Sequence, residues 1–217
     1  MCFLLPLRII NYQSEMNMIT FARRLLYCSM VCCGFALAGC DTVFDVHPYD
    51  VHIRGEKGIN AKNIALIEKA TLDKDTIRLA FISDSHKYYN GLQDIIKDIN
   101  RRDTIDFVVH CGDITDCGST REYEWARDNI ARLNKPYVVL LGNHDCLGTG
   151  NEVYERMFGD PDFSFIAGRV KFVCLNTNAI EYDYSRHVPN FDFMEQEMMS
   201  RADEFGRTVM CMHAAPY

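Results

Sequence analysis

At 217 residues the chain has room for one domain or a small pair, and with 48% hydrophobic and 24% charged residues it can build a core. A net charge of −7 with no basic stripe argues against a long nucleic acid as partner, because nothing replaces the phosphate counterions. It leaves small phosphate esters open, since bound metal ions would supply positive charge.

Residues 1–39 read as a targeting segment. Arg23-Arg24 is a basic n-region, and Leu25 to Ala36 is an apolar run of signal-peptide length. A poor membrane anchor or a buried helix is the alternative. Residues 1–15 fit poorly before such a segment, so Met16 or Met18 is the expected start. Leu37-Ala38-Gly39-Cys40 resembles the bacterial lipobox, which implies lipid on Cys40 and a protein tethered to a membrane on the exported side of a bacterial cell envelope. Five of the ten cysteines follow Cys40: Cys111, Cys117, Cys146, Cys174 and Cys211. An odd number without a C-x-x-C pair is not a disulfide framework, and the thiols read as small buried hydrophobes. A Cys117–Cys146 bridge stays open at this point.

Residues 40–76 form the lipidated N-terminus and a connecting region. Val51-His52-Ile53 alternates like a short strand, and Ala61 to Ala70 reads as a short helix with Ile64 and Ile67 inward and Leu66 as a further inward candidate. From residue 77 strands and helices alternate, which implies parallel pairing. Asn90 is expected to cap a helix with Leu92, Ile95, Ile96 and Ile99 on one face. Ser119-Thr120-Arg121-Glu122 reads as a capping box, followed by a face of Tyr123, Ala126, Ile130 and Leu133, with Trp125 as packing. Asn151 to Phe158 reads as a short helix, Val170 to Leu175 as an alternating strand, and Phe191 to Phe205 as a long helix with Met194 and Met198 inward.

Four strands end in polar side chains. Ile77 to Ile82 runs into Asp84 and His86, Ile105 to His110 into Asp113 and Asp116, Tyr137 to Leu141 into Asn143, His144 and Asp145, and Thr208 to Met212 into His213. Open α/β sheets place their sites at such carboxyl ends. Oxygen and imidazole donors suit manganese, iron or zinc. Alone, Asp84 and Asp113 would read as helix N-caps; beside His86, Asn143 and His144 they read as ligands. His110 reads as a strand residue, and Asn176 and Asn178 as turn formers.

Asp84-x-His86, Gly112-Asp113-x-x-Asp116, Gly142-Asn143-His144-Asp145 and a lone His213, in that order, resemble the calcineurin-like metallophosphoesterase family over residues 77–217. The resemblance implies a sandwich of two β-sheets flanked by helices, and phosphate-ester hydrolysis by water bridging two divalent ions. It implies that Asp113 bridges the ions, with Asp84 and His86 on one and Asn143 and His213 on the other. His144 would face the departing oxygen, with Asp116 and Asp145 supporting it. The family's later Gly-His-x-His does not occur before Tyr217, so an incomplete second sheet is expected. A lipoprotein with a partial metal site and no turnover is the alternative.

Overall fold

The computed structural model describes residues 16, 20–30, 47, 49–178 and 189–215. The chain divides into two compact units, Met1–His47 and Pro48–Tyr217. In the first, residues 20–30 are helical with Phe21, Leu25, Leu26, Tyr27 and Met30 exposed. Among the described residues no helix is long and apolar enough to cross a membrane. Cys40 and its lipobox lie outside the described residues.

The second unit holds two three-stranded sheets. β1 (Leu79–Ile82), β2 (Phe107–His110) and β3 (Tyr137–Val139) are parallel in the order β1-β2-β3. β4 (Phe163–Ala167) and β5 (Val170–Leu175) form an antiparallel hairpin, and β6 (Arg207–Met212) adds parallel to β5. The helices are α1 (Ile59–Thr71), α2 (Tyr89–Asn100), α3 (Thr120–Ile130), α4 (Gly150–Met157) and α5 (Phe191–Met199).

β2 is buried on both faces, as a central parallel strand is. Phe107 and Val109 join Val138 and Leu140 against Phe165, Phe172, Cys174 and Cys211, which locks the first sheet onto the second. Phe107 meets Phe165 and Phe172 edge-on at 5.8 and 5.5 Å, and those two stack at 4.9 Å. Val108 and Val139 face the other way, under α2, α3 and α4. The result is a helix–sheet–sheet sandwich, the α/β architecture expected.

α1 closes the outer edge of β3. Asn60 accepts from Val139 N at 3.0 Å and donates to Val139 O at 2.9 Å, and Asn63 accepts from Tyr137 N at 3.0 Å. Two asparagines thus take the hydrogen bonds a fourth strand would make. Ile59 and Ile67 on the same helix are fully buried, so residues 59–71 belong to the core and do not merely connect.

Several local expectations change. Residues 51–53 form no strand, although Ile53 is buried. Tyr88, not Asn90, caps α2, and Ile95 is 47% exposed because the buried stripe runs through Leu92, Ile96 and Ile99. Trp125 faces solvent beneath the Arg121 guanidinium, a cation–π contact and not core packing. Ser119 accepts from Glu122 N as a capping box requires, but the Glu122 carboxylate turns to Cys117 N instead of reaching back. β5 does not alternate: Lys171 is as buried as Phe172, its ammonium held by Glu197 and by the carbonyls of Glu197 and Ser200. Those carbonyls end α5 at Met199, well short of Phe205, and leave Met194 half-buried and Met198 exposed. Cys111, Cys117, Cys146, Cys174 and Cys211 form no disulfide, so Cys117 and Cys146 are not bridged.

Candidate metal centre

The parallel ladder of the first sheet continues past the strands into the loops. Cys111 N donates to Ile82 O at 2.8 Å, Asp84 N to Gly112 O at 3.1 Å, and His86 N to Asp113 O at 3.0 Å. This zips the first two polar loops together. The third is brought in by glycine. A Cβ on Gly142 would lie 2.1 Å from Asp113 N, and one on Gly112 would lie 2.8 Å from the Gly142 backbone. Asp84, His86 and Asp113 all hold positive φ, at 53°, 42° and 55°. Among the described residues Arg201 is the one other non-glycine with this conformation, so backbone strain gathers at the polar loops.

Ligand atoms of Asp84, Asp113 and His213 lie within 4.8 Å of one another. His213 Nε2 stands 3.4 Å from Asp113 Oδ2 and 2.9 Å from Asn143 Oδ1. His86 Nε2 stands 3.8 Å from the same Asp113 oxygen. Asp113 Oδ1 accepts from His144 N at 2.9 Å. Four of the residues singled out as ligands, Asp84, His86, Asn143 and His213, are therefore gathered around the fifth, Asp113. Two carboxylates, an amide oxygen and two imidazoles fit a hard or borderline divalent ion.

The three imidazoles share one arrangement. His213 Nδ1 is 2.9 Å from Cys111 O, His86 Nδ1 is 3.1 Å from Thr115 O and 3.2 Å from Asp116 Oδ1, and His144 Nδ1 is 2.9 Å from Asp116 O. Each Nδ1 is thus engaged by a protein oxygen, which turns each Nε2 away from the scaffold loops, that of His213 onto the Asn143 and Asp113 oxygens. The rings of His86 and His144 meet edge-on, 4.8 Å between centroids.

Charge within the cluster is coupled. Burial works to raise the Asp113 carboxyl, but the His213 side chain and the His144 N–H outweigh it and hold the group below the ordinary range. Asp113 in turn lifts His213 to about 9. His144 is raised chiefly by the Asp116 carbonyl. His110, fully buried behind the loops with Nε2 3.0 Å from Ser85 Oγ, is pushed by burial down to about 4 and stays a strand residue.

The two supporting aspartates differ. Asp116 meets both His86 and His144, the latter through its main chain. Asp145 reaches neither ring with its carboxylate. It is fully buried and accepts from Gly142 N, Thr115 N, Thr115 Oγ1 and Ile114 N at 2.8–3.3 Å, tying the second and third loops together. Sequence reasoning missed Thr115, which sits inside the Gly112–Asp116 motif, and Thr177, whose hydroxyl accepts from Ala214 N beside His213 at 3.1 Å. It read Asn178 as a turn former; the side chain also donates to Leu141 O at 2.7 Å, bracing the third loop from β5.

Comparison with known proteins follows the same residues. The family model for calcineurin-like phosphoesterases matches residues 77–217. A glycerophosphodiester phosphodiesterase GpdQ of Enterobacter lignolyticus is 38% identical over 72 residues, covering 30% of this chain and 26% of that protein. A probable glycerophosphodiester phosphodiesterase GpdQ of Arcobacter nitrofigilis is 42% identical over 40 residues, 18% of this chain and 15% of that one. The chain thus spans about a quarter or less of the curated relatives it matches. Among solved structures, purple acid phosphatase PPD1 from yellow lupin seeds aligns with TM-score 0.45 and 20% identity over 57% of this chain and 28% of that one. With the motifs in order and the family model spanning 77–217, the chain belongs to the calcineurin-like phosphoesterase family.

Proposed function

We propose that the protein hydrolyses phosphate esters with two divalent cations, manganese, iron or zinc, bound at the carboxyl end of the first sheet. The observation that carries this reading is the gathering of Asp84, His86, Asn143 and His213 around the Asp113 carboxylate, with the Nδ1 of both imidazoles held by protein oxygens and the His144 ring beside them. Bound there, the cations would screen the phosphate oxygens and lower the pKa of a shared water. Asp113 would serve both ions, with Asp84 and His86 holding one and Asn143 and His213 the other. His144 delivers a proton to the departing oxygen, with the Asp116 carbonyl fixing its Nδ1–H so that Nε2 carries the transferred proton. Asp145 supports both loops from beneath. The diester class is favoured by the names of the GpdQ relatives.

The test compares the chain with its Asp113→Asn variant for bound Mn²⁺ and for turnover of a nitrophenyl phosphodiester. Metal content should fall to background in the variant, and turnover should drop by at least about 100-fold. Equal metal content would remove the bridging assignment. Metal binding without turnover in the unaltered chain would favour the binding-only lipoprotein.

The same reading includes attachment to a membrane through lipid on Cys40, supported by Arg23-Arg24, the apolar run and the lipobox-like residues. Palmitate label supplied to bacteria expressing the precursor should be incorporated and should vanish in Cys40→Ala. Label retained in that variant would refute the anchor.

A further inference from the structure

We propose that Lys87 and Glu122 form a positioning clamp on Asp116 that fixes His86 and His144 together. Lys87 belongs to no motif noted in the sequence, and Glu122 was noted only as a helix cap. Lys87 directly follows His86, and its ammonium stands 3.1 Å from Asp116 Oδ2 and 2.6 Å from Glu122 Oε1. The second Glu122 oxygen accepts from Cys117 N at 2.9 Å. Asp116, between these anchors, offers its other carboxylate oxygen to His86 Nδ1 and its carbonyl to His144 Nδ1. One residue thus contacts two rings, sharing His86 Nδ1 with the Thr115 carbonyl, and one ammonium holds that residue's carboxylate.

Three further observations support the clamp. Glu122 is 5% exposed and has been drawn away from the helix-capping contact its spacing predicts. Asp116 and Glu122 both press on one nitrogen, so without it two carboxylates would repel each other across a short gap. Those two carboxylates also raise the Lys87 pKa, which keeps the ammonium charged throughout any working pH range. On one side of Asp116 the turn has a separate anchor, Thr115 held by Asp145; on the other, Cys117 N is held by Glu122, which loses the same cation when Lys87 is released. Releasing Lys87 therefore loosens both the Asp116 carboxylate and the peptide that carries its carbonyl to His144.

The inference rests on the proposed function only in treating His86 as a ligand and His144 as a proton donor; the clamp is a property of the metal-free chain. The experiment uses that chain, with ¹⁵N-labelled imidazoles assigned by His86→Gln and His144→Gln, at one alkaline pH where these rings are neutral. In the parent each ring should show a single tautomer with its proton on Nδ1. In Lys87→Met both rings should move toward tautomer averaging, and Lys87→Arg should restore both. The Lys87 side chain is 46% exposed, so the fold should tolerate Met; Glu122→Gln provides a second variant with the same expected ring response. Unchanged rings in a folded Lys87→Met, or a change at His86 alone, would overturn the clamp.

A calorimetric titration with Mn²⁺ supplies an opposed sign. Lost positioning should weaken binding about tenfold in Lys87→Met, with Lys87→Arg within about twofold of the parent. Loss of a nearby positive charge alone would tighten binding, and that result would overturn the proposal. If no variant, the parent included, takes up Mn²⁺ while the rings respond as expected, the clamp stands and the metal reading falls.

Discussion

Asp145 shows how a residue in a motif can serve the scaffold more than the chemistry. Its carboxylate gathers four donors from two loops in a fully buried place. Burial raises its pKa, and the hydrogen bonds from Gly142 and Thr115 oppose that rise. Asp145→Ala would leave three buried N–H groups unpaired and should cost about 4 kcal/mol, read as a shift of the urea midpoint. Glu197 gives a pH-dependent counterpart. Burial works to raise it, but Lys171 and Ser164 outweigh burial and its folded pKa lies below the ordinary 4.5. A depressed folded pKa stabilises above the unfolded value and loses that contribution as pH falls through the folded one. Urea midpoints should therefore decline on acidification below about pH 4.5, and Glu197→Gln should flatten that decline. At neutral pH the same variant should lose about 3 kcal/mol, because Lys171 would keep a buried charge without its counterion. The ligand candidates were legible because Asp, Asn and His stand at strand ends, where apolar runs stop. Lys87 and Glu122 carry no such mark: they lie 35 positions apart, and only folding sets them side by side.

The elements were legible where periodicity was strong. α4 lies within a residue of its expected bounds, and α3 starts after its expected Ser119 cap, because Tyr123, Ala126 and Ile130 recur at helical spacing, but it ends at Ile130, before Leu133. β4 escaped notice because Phe163 to Ala167 lacks alternation. The signal that could have found it is the two-residue turn Gly168-Arg169, with Gly168 at φ 59° joining two apolar runs. α5 was overextended because its end is set by the Lys171 ammonium, a tertiary contact that no local residue announces. At the level of loops, Gly142 is where element geometry and site geometry coincide. Gly142→Ala would drive a methyl group into the Asp113 backbone and carboxylate, 2.1 and 2.2 Å away. It should destabilise the fold by about 3 kcal/mol and remove Mn²⁺ binding, as judged by thermal melting and calorimetry on the same sample.

Across the whole molecule the two sheets and their helices were foreseeable from alternation and family resemblance, and so was α1 with Ile67 inward, but not its pairing with β3. Besides Ile67, α1 supplies Ile59 to the core and two asparagines to β3, which its weak apolar pattern does not announce. Those asparagines have a consequence for the protein's company in a crowded compartment. A strand edge with free N–H and C=O groups is a template on which another chain can grow. Asn60 occupies both groups of Val139, and Asn63 occupies Tyr137 N, so on this side the template is chemically spent. Asn60→Leu would keep much of the bulk and strip Val139 N of its partner, leaving Val139 O to Tyr154 Oη. It should raise thioflavin fluorescence and light scattering on prolonged incubation well before it lowers the melting temperature to the point of unfolding. Two amide side chains on a helix thus act as a guard against fibrous self-association.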